Sequence, residues 1–478
     1  MDSTGLDRYC SLVDQPEEFL ATSARPLPVC VWAHPERIEV AELASRLGGA
    51  GWAPRPVAWY PGALRLPAEV SPGNRVEHLA GLYHVQEEAA LLPVALLDPQ
   101  PGERVLDLCA APGNKTAQLA LRVGPQGTVV ANDRFFQRLG VLRAGLERLG
   151  LTNCVVTNHD ARQLPRSAGL FDRVLADVPC SCEGTSRKHP QLLADGPSAP
   201  PGQQAAMQQG ILRRGVQLCR PGGRIVYATC TYAPEENEQV VDAVLRHFGP
   251  ERLRLLPAAM PGLRTEPGLT RWQGENFDPS LAGALRVYPH HNDTGGFFVA
   301  VLERLGDAGS AASLMERFPP AELSPMDPQP WIDPLIEHFG LPPEFFDDYL
   351  LLHTHTRVLS FVDRALRAPT SPRAVSLGLP FLHIHMAQPK LATGAAMKLG
   401  GLAQRNVLDL GPDQAVAFIT RQDFPPTRAQ LASCTAGNVL VRYRGATLGV
   451  GHYRPADGLV SSLLPKAWQL VGDRSLVE

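Results

Sequence analysis

RVLDLCAAPGNK (104–115) decides the fold. Its first half is an apolar run without alternation, and it ends in a turn of small residues with a proline and a glycine. A continuous apolar run closed by such a turn reads as a strand buried on both faces. The small residues let the polar part of a ligand approach the backbone, and Asn114 and Lys115 open a helix whose first N–H groups face the same point. The loop is not G-x-G-x-x-G, so nothing in it calls for a dinucleotide.

Working outward, EEAALLPVALL (87–97) predicts a helix and DPQPGE (98–103) a turn. GTVVANDR (127–134) is strand-like, and FFQRLGVLRAGLERLG (135–150) has helical spacing. CVVTNHDAR (154–162) and FDRVLADVPC (171–180) predict strands, and MQQGILRRGVQLC (207–219) predicts a helix. The turn RPGG (220–223) then leads into the strands RIVYATC (224–230) and GGFFVAVLER (295–304). Helices alternating with strands buried on both faces predict an α/β fold, a doubly wound parallel sheet with its ligands at the carboxyl ends of the strands. Residues 86–303 form that domain. Residues 1–85 read as a small α+β domain, with a helix within 38–51. Residues 304–330, rich in Ala, Ser, Gly and Pro, read as a linker. A small α+β module is expected at 331–385, and short β-type pieces at 386–478.

The 478 residues are 44% hydrophobic and 19% charged, ordinary for a soluble globular protein. No basic stretch precedes an apolar run at the start, and no apolar run has membrane-spanning length, so no secretory signal and no membrane are expected. Nine cysteines without framework spacing predict free thiols in the reducing cytoplasm. The net charge is −3. Residues 380–478 hold 10 Lys/Arg and 6 Asp/Glu, a balance of +4, which leaves −7 on the remainder. A basic C-terminal module is compatible with binding a polyanion.

The polar residues at successive strand ends are Lys115, Asp133, Asp160, Asp177 and Cys230. Asp133 is placed to bind a ribose diol and Asp160 to accept from an adenine amino group. Either alone could be a helix cap. DVPCSCEGTSRK (177–188) and VYATCTYAPEENEQVV (226–241) each set a cysteine in a tight turn after a buried strand. The acids after Cys230 are expected to form the first turn of a helix, complementing its macrodipole.

At these segments the sequence resembles the Nop/Sun-type RNA (cytosine-carbon-5) methyltransferases. The resemblance rests on LDLCAAPGNKT (106–116), AND (131–133), DVPCS (177–181), EGTSRK (183–188) and RPGGRIVYATCTYAPEENE (220–238). VEHLAGLYHVQEEAALLPVALL (76–97), PKLATGAAMKLGGLAQRNVLDL (389–410) and VRYRGATLGVGHYR (441–454) are similar to the bacterial branch acting on 16S ribosomal RNA, whose C-terminal part is PUA-like. The resemblance implies a Rossmann-like class I methyltransferase domain with S-adenosylmethionine as cofactor. It also implies RNA-binding modules at both ends. Cys109, Ala110, Ala111, Pro112, Gly113, Asn114, Lys115, Asp133, Arg138, Asp160 and Asp177 would hold the cofactor. By the same resemblance Cys230 is the nucleophile, Cys180 resolves the adduct and releases product, and Asp177 binds the base. The expected partner is ribosomal RNA in or near the small subunit, bound by a monomer, with no DNA; transfer RNA is the alternative substrate. A ribosome-assembly factor with reduced catalysis is the second alternative.

The chemistry explains why cysteine is required. Carbon-5 of cytosine is a poor nucleophile. A thiolate adding at carbon-6 makes carbon-5 enamine-like, and the thiolate can leave again.

Two departures from the family stand out. Cys182 occupies a position where the family usually has glycine, in a turn where glycine can take φ > 0. It adds a thiol near Cys180 and predicts an oxidation-sensitive turn. LPVCVWAHP (27–35) stands where bacterial members carry an Arg-x-Asn signature. No metal is expected: C-x-C plus distant cysteines lacks zinc-site spacing, and the pairs His353/His355 and His383/His385 lack a third ligand nearby.

Overall fold

Residues 104–229 lay down half of a ten-stranded sheet, whose strands we number in chain order. They are β1 (Arg104–Asp107), β2 (Thr128–Asn132), β3 (Cys154–Thr157), β4 (Phe171–Asp177), β5 (Cys219–Thr229), β6 (Leu253–Leu256), β7 (Glu266–Pro267), β8 (Leu285–Val287), β9 (Phe297–Arg304) and β10 (Ala374–Leu377). The sheet order is β7-β8-β9-β5-β4-β1-β2-β3-β10, with β6 paired to β9. The computed structural model describes residues 5–192, 201–306, 321–385 and 389–477. Of the linker expected at 304–330, residues 307–320 lie outside the described residues.

The five strands β3-β2-β1-β4-β5 are parallel, as the alternation with helices predicts. The helices are α1 (Asn114–Val123), α2 (Leu139–Arg148), α3 (Pro201–Leu218) and α4 (Glu238–Phe248). Alternate residues of one strand serve opposite layers. Leu106, Val130 and Val174 pack with Leu212 and Val216 of α3 and Val240 and Val244 of α4. Val105, Val129 and Leu175 pack with Leu119 and Val123 of α1 and Leu142 and Leu146 of α2. That two-sided burial is why these strands read as unbroken apolar runs.

The sheet as a whole is mixed, which corrects the all-parallel expectation. β6, β8 and β10 and the pair β5–β9 run antiparallel to their neighbours. Only residues 288–296 connect β8 to β9, too few for the crossover helix that parallel neighbours require. The RPGG segment is also not a turn before a strand. It lies inside β5, where the pairing with β4 shifts register and Gly222 takes φ +73°. The helix expected at 87–97 is a 3-10 turn, Ala89–Leu91, followed by a short helix, Leu92–Leu97.

The flanking modules are joined more closely than their sequence spacing suggests. A four-stranded antiparallel sheet contains Arg55–Pro56, Ala63–Leu66, Val29–Ala33 and Tyr83–Val85 in that order. Its Val31, Leu64 and Tyr83 share one core with Leu408, Phe418, Val441 and Leu448 near the other end of the chain. The boundary expected at 385/386 cuts a sheet, because Lys390–Leu391 pairs with Leu379–His383. Within the expected 331–385 module, β10 extends the central sheet beside β3. Pairing partners this far apart leave no trace in local alternation. Among the described residues, no helix is long and apolar enough to cross a membrane.

Candidate active site

β1 and β4 are neighbours whose following segments diverge, so their carboxyl ends open the crevice where doubly wound sheets bind ligands. The loop after β1 is held from three sides. Ala110 N donates to Asn132 O (2.8 Å) and Ala111 N to the Asp133 carboxylate (3.1 Å). Asn132 Nδ2 donates to Leu108 O and His159 O, tying three strand ends together. Gly113 takes φ +110°, and a Cβ there would stand 3.3 Å from the Leu142 backbone, so this position accepts only glycine without adjustment. Asp133 is buried, and its two oxygens accept from Ala111 N and Phe135 N. Arg138 reaches the Ala111 carbonyl and lies 3.6 Å from Asp133.

Asp160 sits at the end of β3 but is engaged locally. It caps the 3-10 turn Ala161–Gln163 through Arg162 N and pairs with the Arg162 guanidinium at 2.6 Å. Those contacts hold its carboxyl below the usual range, the Arg162 side-chain hydrogen bond contributing most. Cys109 is shielded, and burial pushes its thiol well up, so it offers the loop backbone more than its sulfur.

Asp107, at the last position of β1, was not among the expected site residues. One of its oxygens accepts from Thr116 Oγ1 at 2.7 Å, and the other is buried without a hydrogen-bond partner. Burial pushes its carboxyl up to about 7. An orphaned buried carboxylate, a glycine cradle and a buried acid at the next strand end fit a cofactor with a cationic amino-acid end and a ribose. The sequence signal for Asp107 was present in LDLCAAPG, but an acid inside an apolar run reads first as part of the strand.

Asp177 ends β4, and Lys115 in the first turn of α1 meets it at 2.6 Å. Burial pulls the Lys115 ammonium down, but the Asp177 carboxylate outweighs this and raises it overall. The two cysteine turns follow β4 and β5. Val178 N donates to Ala228 O, so the adjacent strands stay paired up to the point where the turns begin. Gly184 N donates to Cys230 O, and Gly296 N to Gly184 O. A Cβ on Gly184 would stand 2.4 Å from Gly296 O. The result places the Cys180 and Cys230 sulfurs 3.3 Å apart and Cys182 3.8 Å from Cys180. Cys182 has φ +66°, the left-handed conformation that glycine adopts without cost. Hydrogen bonds from Cys180 and then Cys230 push the Cys182 thiol down to about 3. The Cys180 thiol is raised, first by its hydrogen bond to Cys182. For Cys230 the bond with Cys180 lowers the thiol, but Cys182 and burial outweigh it and raise it.

The side chains that lock these turns were missing from the sequence reading. Glu236 accepts from Ser181 N (3.1 Å) and Gln208 Nε2 (2.7 Å), and Gln208 also donates to Pro179 O (2.9 Å). Glu183 joins Ser181, Thr231 and Tyr9. Asn237 donates to Thr231 O, and buried Arg286 bonds Glu238 and donates to Tyr232 O. Of the acids after Cys230, only Glu238 lies in the first turn of α4. Glu236 precedes the helix and is a buried clasp between the two cysteine turns, which corrects its reading as part of a charged helix start.

Comparison with known proteins points the same way. The family model described as 16S rRNA methyltransferase RsmB/F matches residues 94–303. Ribosomal RNA small subunit methyltransferase F of Aeromonas hydrophila is 32% identical, over 96% of this chain and 94% of its own. A multisite-specific tRNA:(cytosine-C(5))-methyltransferase of Saccharomyces cerevisiae is 34% identical, over 63% of this chain and 54% of its own. The solved structure of a methyltransferase homolog protein from Pyrococcus horikoshii aligns with a TM-score of 0.55 at 30% identity, covering 64% of this chain and 100% of the other.

Proposed function

The chain belongs to the RsmB/F family of S-adenosylmethionine-dependent RNA cytosine-carbon-5 methyltransferases, and from that membership we propose that it methylates a cytosine of 16S ribosomal RNA through a covalent adduct with Cys230. The observation that carries the proposal is the meeting of two cysteine sulfurs, 3.3 Å apart, from turns on adjacent strands, with the turn of Cys180 following the Asp177–Lys115 pair.

Cys230 gives up its proton to solvent water, its sulfur forms a bond to carbon-6 of the flipped-out cytosine, and the electron pair of the 5,6 double bond moves to carbon-5. S-adenosylmethionine, when bound, would supply an electrophilic methyl group for carbon-5. Asp177, oriented by Lys115, accepts from the cytosine amino group, and from N3 once N3 is protonated in the adduct; this stabilises the adduct and selects against uracil, whose O4 has no hydrogen to donate. Cys180 assists breakdown of the adduct: the carbon-5 proton leaves to solvent water, and the freed pair re-forms the double bond and expels the Cys230 thiolate. Asp107, the 109–115 loop, Asp133 with Arg138, and Asp160 would hold the cofactor.

We assign residues 1–85 and the PUA-like C-terminal part, whose own sheet spans Val407–Asp409 to Leu459–Ser462, to RNA binding, flanking the catalytic part at 86–303. Their shared core makes them one body, suited to shape and phosphate contacts on folded RNA. Phe135 and Phe136, both exposed after Asp133, offer faces on which a base can stack. We place the enzyme in the cytoplasm, as a monomer. Incubating it with labelled cofactor and 16S RNA, small subunits or transfer RNA, then chromatographing nucleosides, tests the reading. Label in 5-methylcytidine from 16S RNA or subunits supports it; label only with transfer RNA favours the substrate of the yeast relative.

A further inference from the structure

Among the described residues, two groups of three ligand-type side chains converge: Asp14 with His290 and His291, and Cys180 with Cys182 and Cys230. The first already holds a cation, because Arg264 bonds Asp14 at 2.6 Å. In the second, the three sulfurs lie within 4.8 Å of one another, with two separations of 3.3 and 3.8 Å. Thiolates bound to one metal at about 2.3 Å in tetrahedral or trigonal arrangement stand roughly 3.8–4.0 Å apart. The 3.8 Å edge already has that spacing, and the 3.3 Å edge needs to widen by about 0.5 Å.

We propose that Cys180, Cys182 and Cys230 bind one thiophilic d10 cation, such as zinc, cadmium or cuprous copper, and that this reversibly shuts the enzyme off by occupying its nucleophile. The backbone is already arranged for it. Ser181 N is fixed by Glu236, Pro179 O by Gln208 and Cys230 O by Gly184 N. The left-handed backbone of Cys182 returns its side chain toward Cys180, whose carbonyl accepts from the Cys182 thiol at 3.2 Å. Cys182 and Cys230 are partly exposed, so an ion can enter and a fourth position stays open to water. Soft thiolates favour such ions over magnesium or calcium. Binding a divalent ion joins the Cys182 thiolate, expels the protons of Cys180 and Cys230, and leaves a trithiolate complex of charge −1, with no change of oxidation state. Sequence spacing hides the site because Cys230 is 50 residues from Cys180.

Cadmium is the probe, added to the reduced, metal-freed full-length protein without RNA or cofactor. The expected result is a thiolate-to-cadmium charge-transfer absorption that saturates at one equivalent. Cys182→Gly should lose that band, weaken binding by about tenfold or more, and keep methyl transfer while escaping cadmium inhibition. A chelator should restore the wild type. No absorption at one equivalent, or equally tight binding by Cys182→Gly, overturns the proposal. The absorption is read without turnover, so its failure is distinct from failure of the methyltransferase reading.

Discussion

The Cys180 and Cys230 sulfurs lie 3.3 Å apart although 50 residues separate them along the chain. Each ends a turn that follows one of two adjacent parallel strands, and the turns are stitched by Glu236 and Gly184. That proximity gives one cysteine access to the adduct formed by the other. Cys180→Ala should therefore add to the base but release it poorly. On denaturing gels this variant should accumulate a slow-migrating protein–RNA band, absent from Cys180→Ala/Cys230→Ala. Equal amounts of band in the single and double variants would refute the division of roles.

Lys115 and Asp177 form the ion pair at the floor of the site, 2.6 Å apart and largely shielded. Removing the cation leaves Asp177 without the partner that orients it. Lys115→Met should lower turnover by about a hundredfold or more and destabilise the fold by about 2–3 kcal/mol. Methyl transfer and urea denaturation measure the two effects. Near-normal turnover would show that Asp177 needs no such support.

Cys182 occupies the left-handed region at φ +66°, where a Cβ costs roughly 1–2 kcal/mol. Cys182→Gly relieves that cost and should raise the urea midpoint while sustaining methyl transfer. The same variant should blunt inactivation by peroxide, since it removes one thiol of the cluster. An unchanged midpoint and unchanged peroxide sensitivity would contradict both expectations.

His34 and His84 are buried, and desolvation together with nearby arginines lowers them to about 3 and about 4. Arg148 donates to His84 Nδ1, so Nε2 carries the proton and donates to Asn114, the first residue of α1. The sign follows from linkage. The unfolded chain takes up protons at these histidines near pH 6.5, and the folded chain does not. Stability present above pH 6.5 is therefore lost as pH falls toward 4, by about 1.4 kcal/mol per pH unit for each histidine. Urea midpoints measured from pH 7 to 5 should fall, and His84→Gln should flatten the decline. A flat profile in the wild type would be inconsistent with neutral buried histidines.

How much of this was legible in the sequence differs by element. The parallel strands were readable because burial on both faces writes itself as an apolar run, and Lys115, Asp133, Asp177 and Cys230 sit at their ends. Beside β5, β9 was readable as a strand in GGFFVAVLER but its antiparallel direction was not, and β10 beside β3 was not readable at all, because the pairing partners are distant in sequence and either direction gives similar local patterns. Glu236 resembled a helix-start acid, and only the fold reveals that it clasps the Ser181 turn. The C-x-C pair concealed a third thiol supplied by a neighbouring strand. Cys182 was the reverse case: its position in a glycine turn announced a positive φ that the backbone indeed adopts.

The central claim is that Cys230 drives methylation of cytosine carbon-5 in 16S ribosomal RNA. Bisulfite sequencing of ribosomal RNA tests it most directly, in cells lacking this protein, either unsupplemented or supplied with the wild type or with Cys230→Ala. A cytosine in 16S RNA should resist conversion only when the wild type is present. An identical conversion pattern in all three strains, or protection restored by Cys230→Ala, would contradict it.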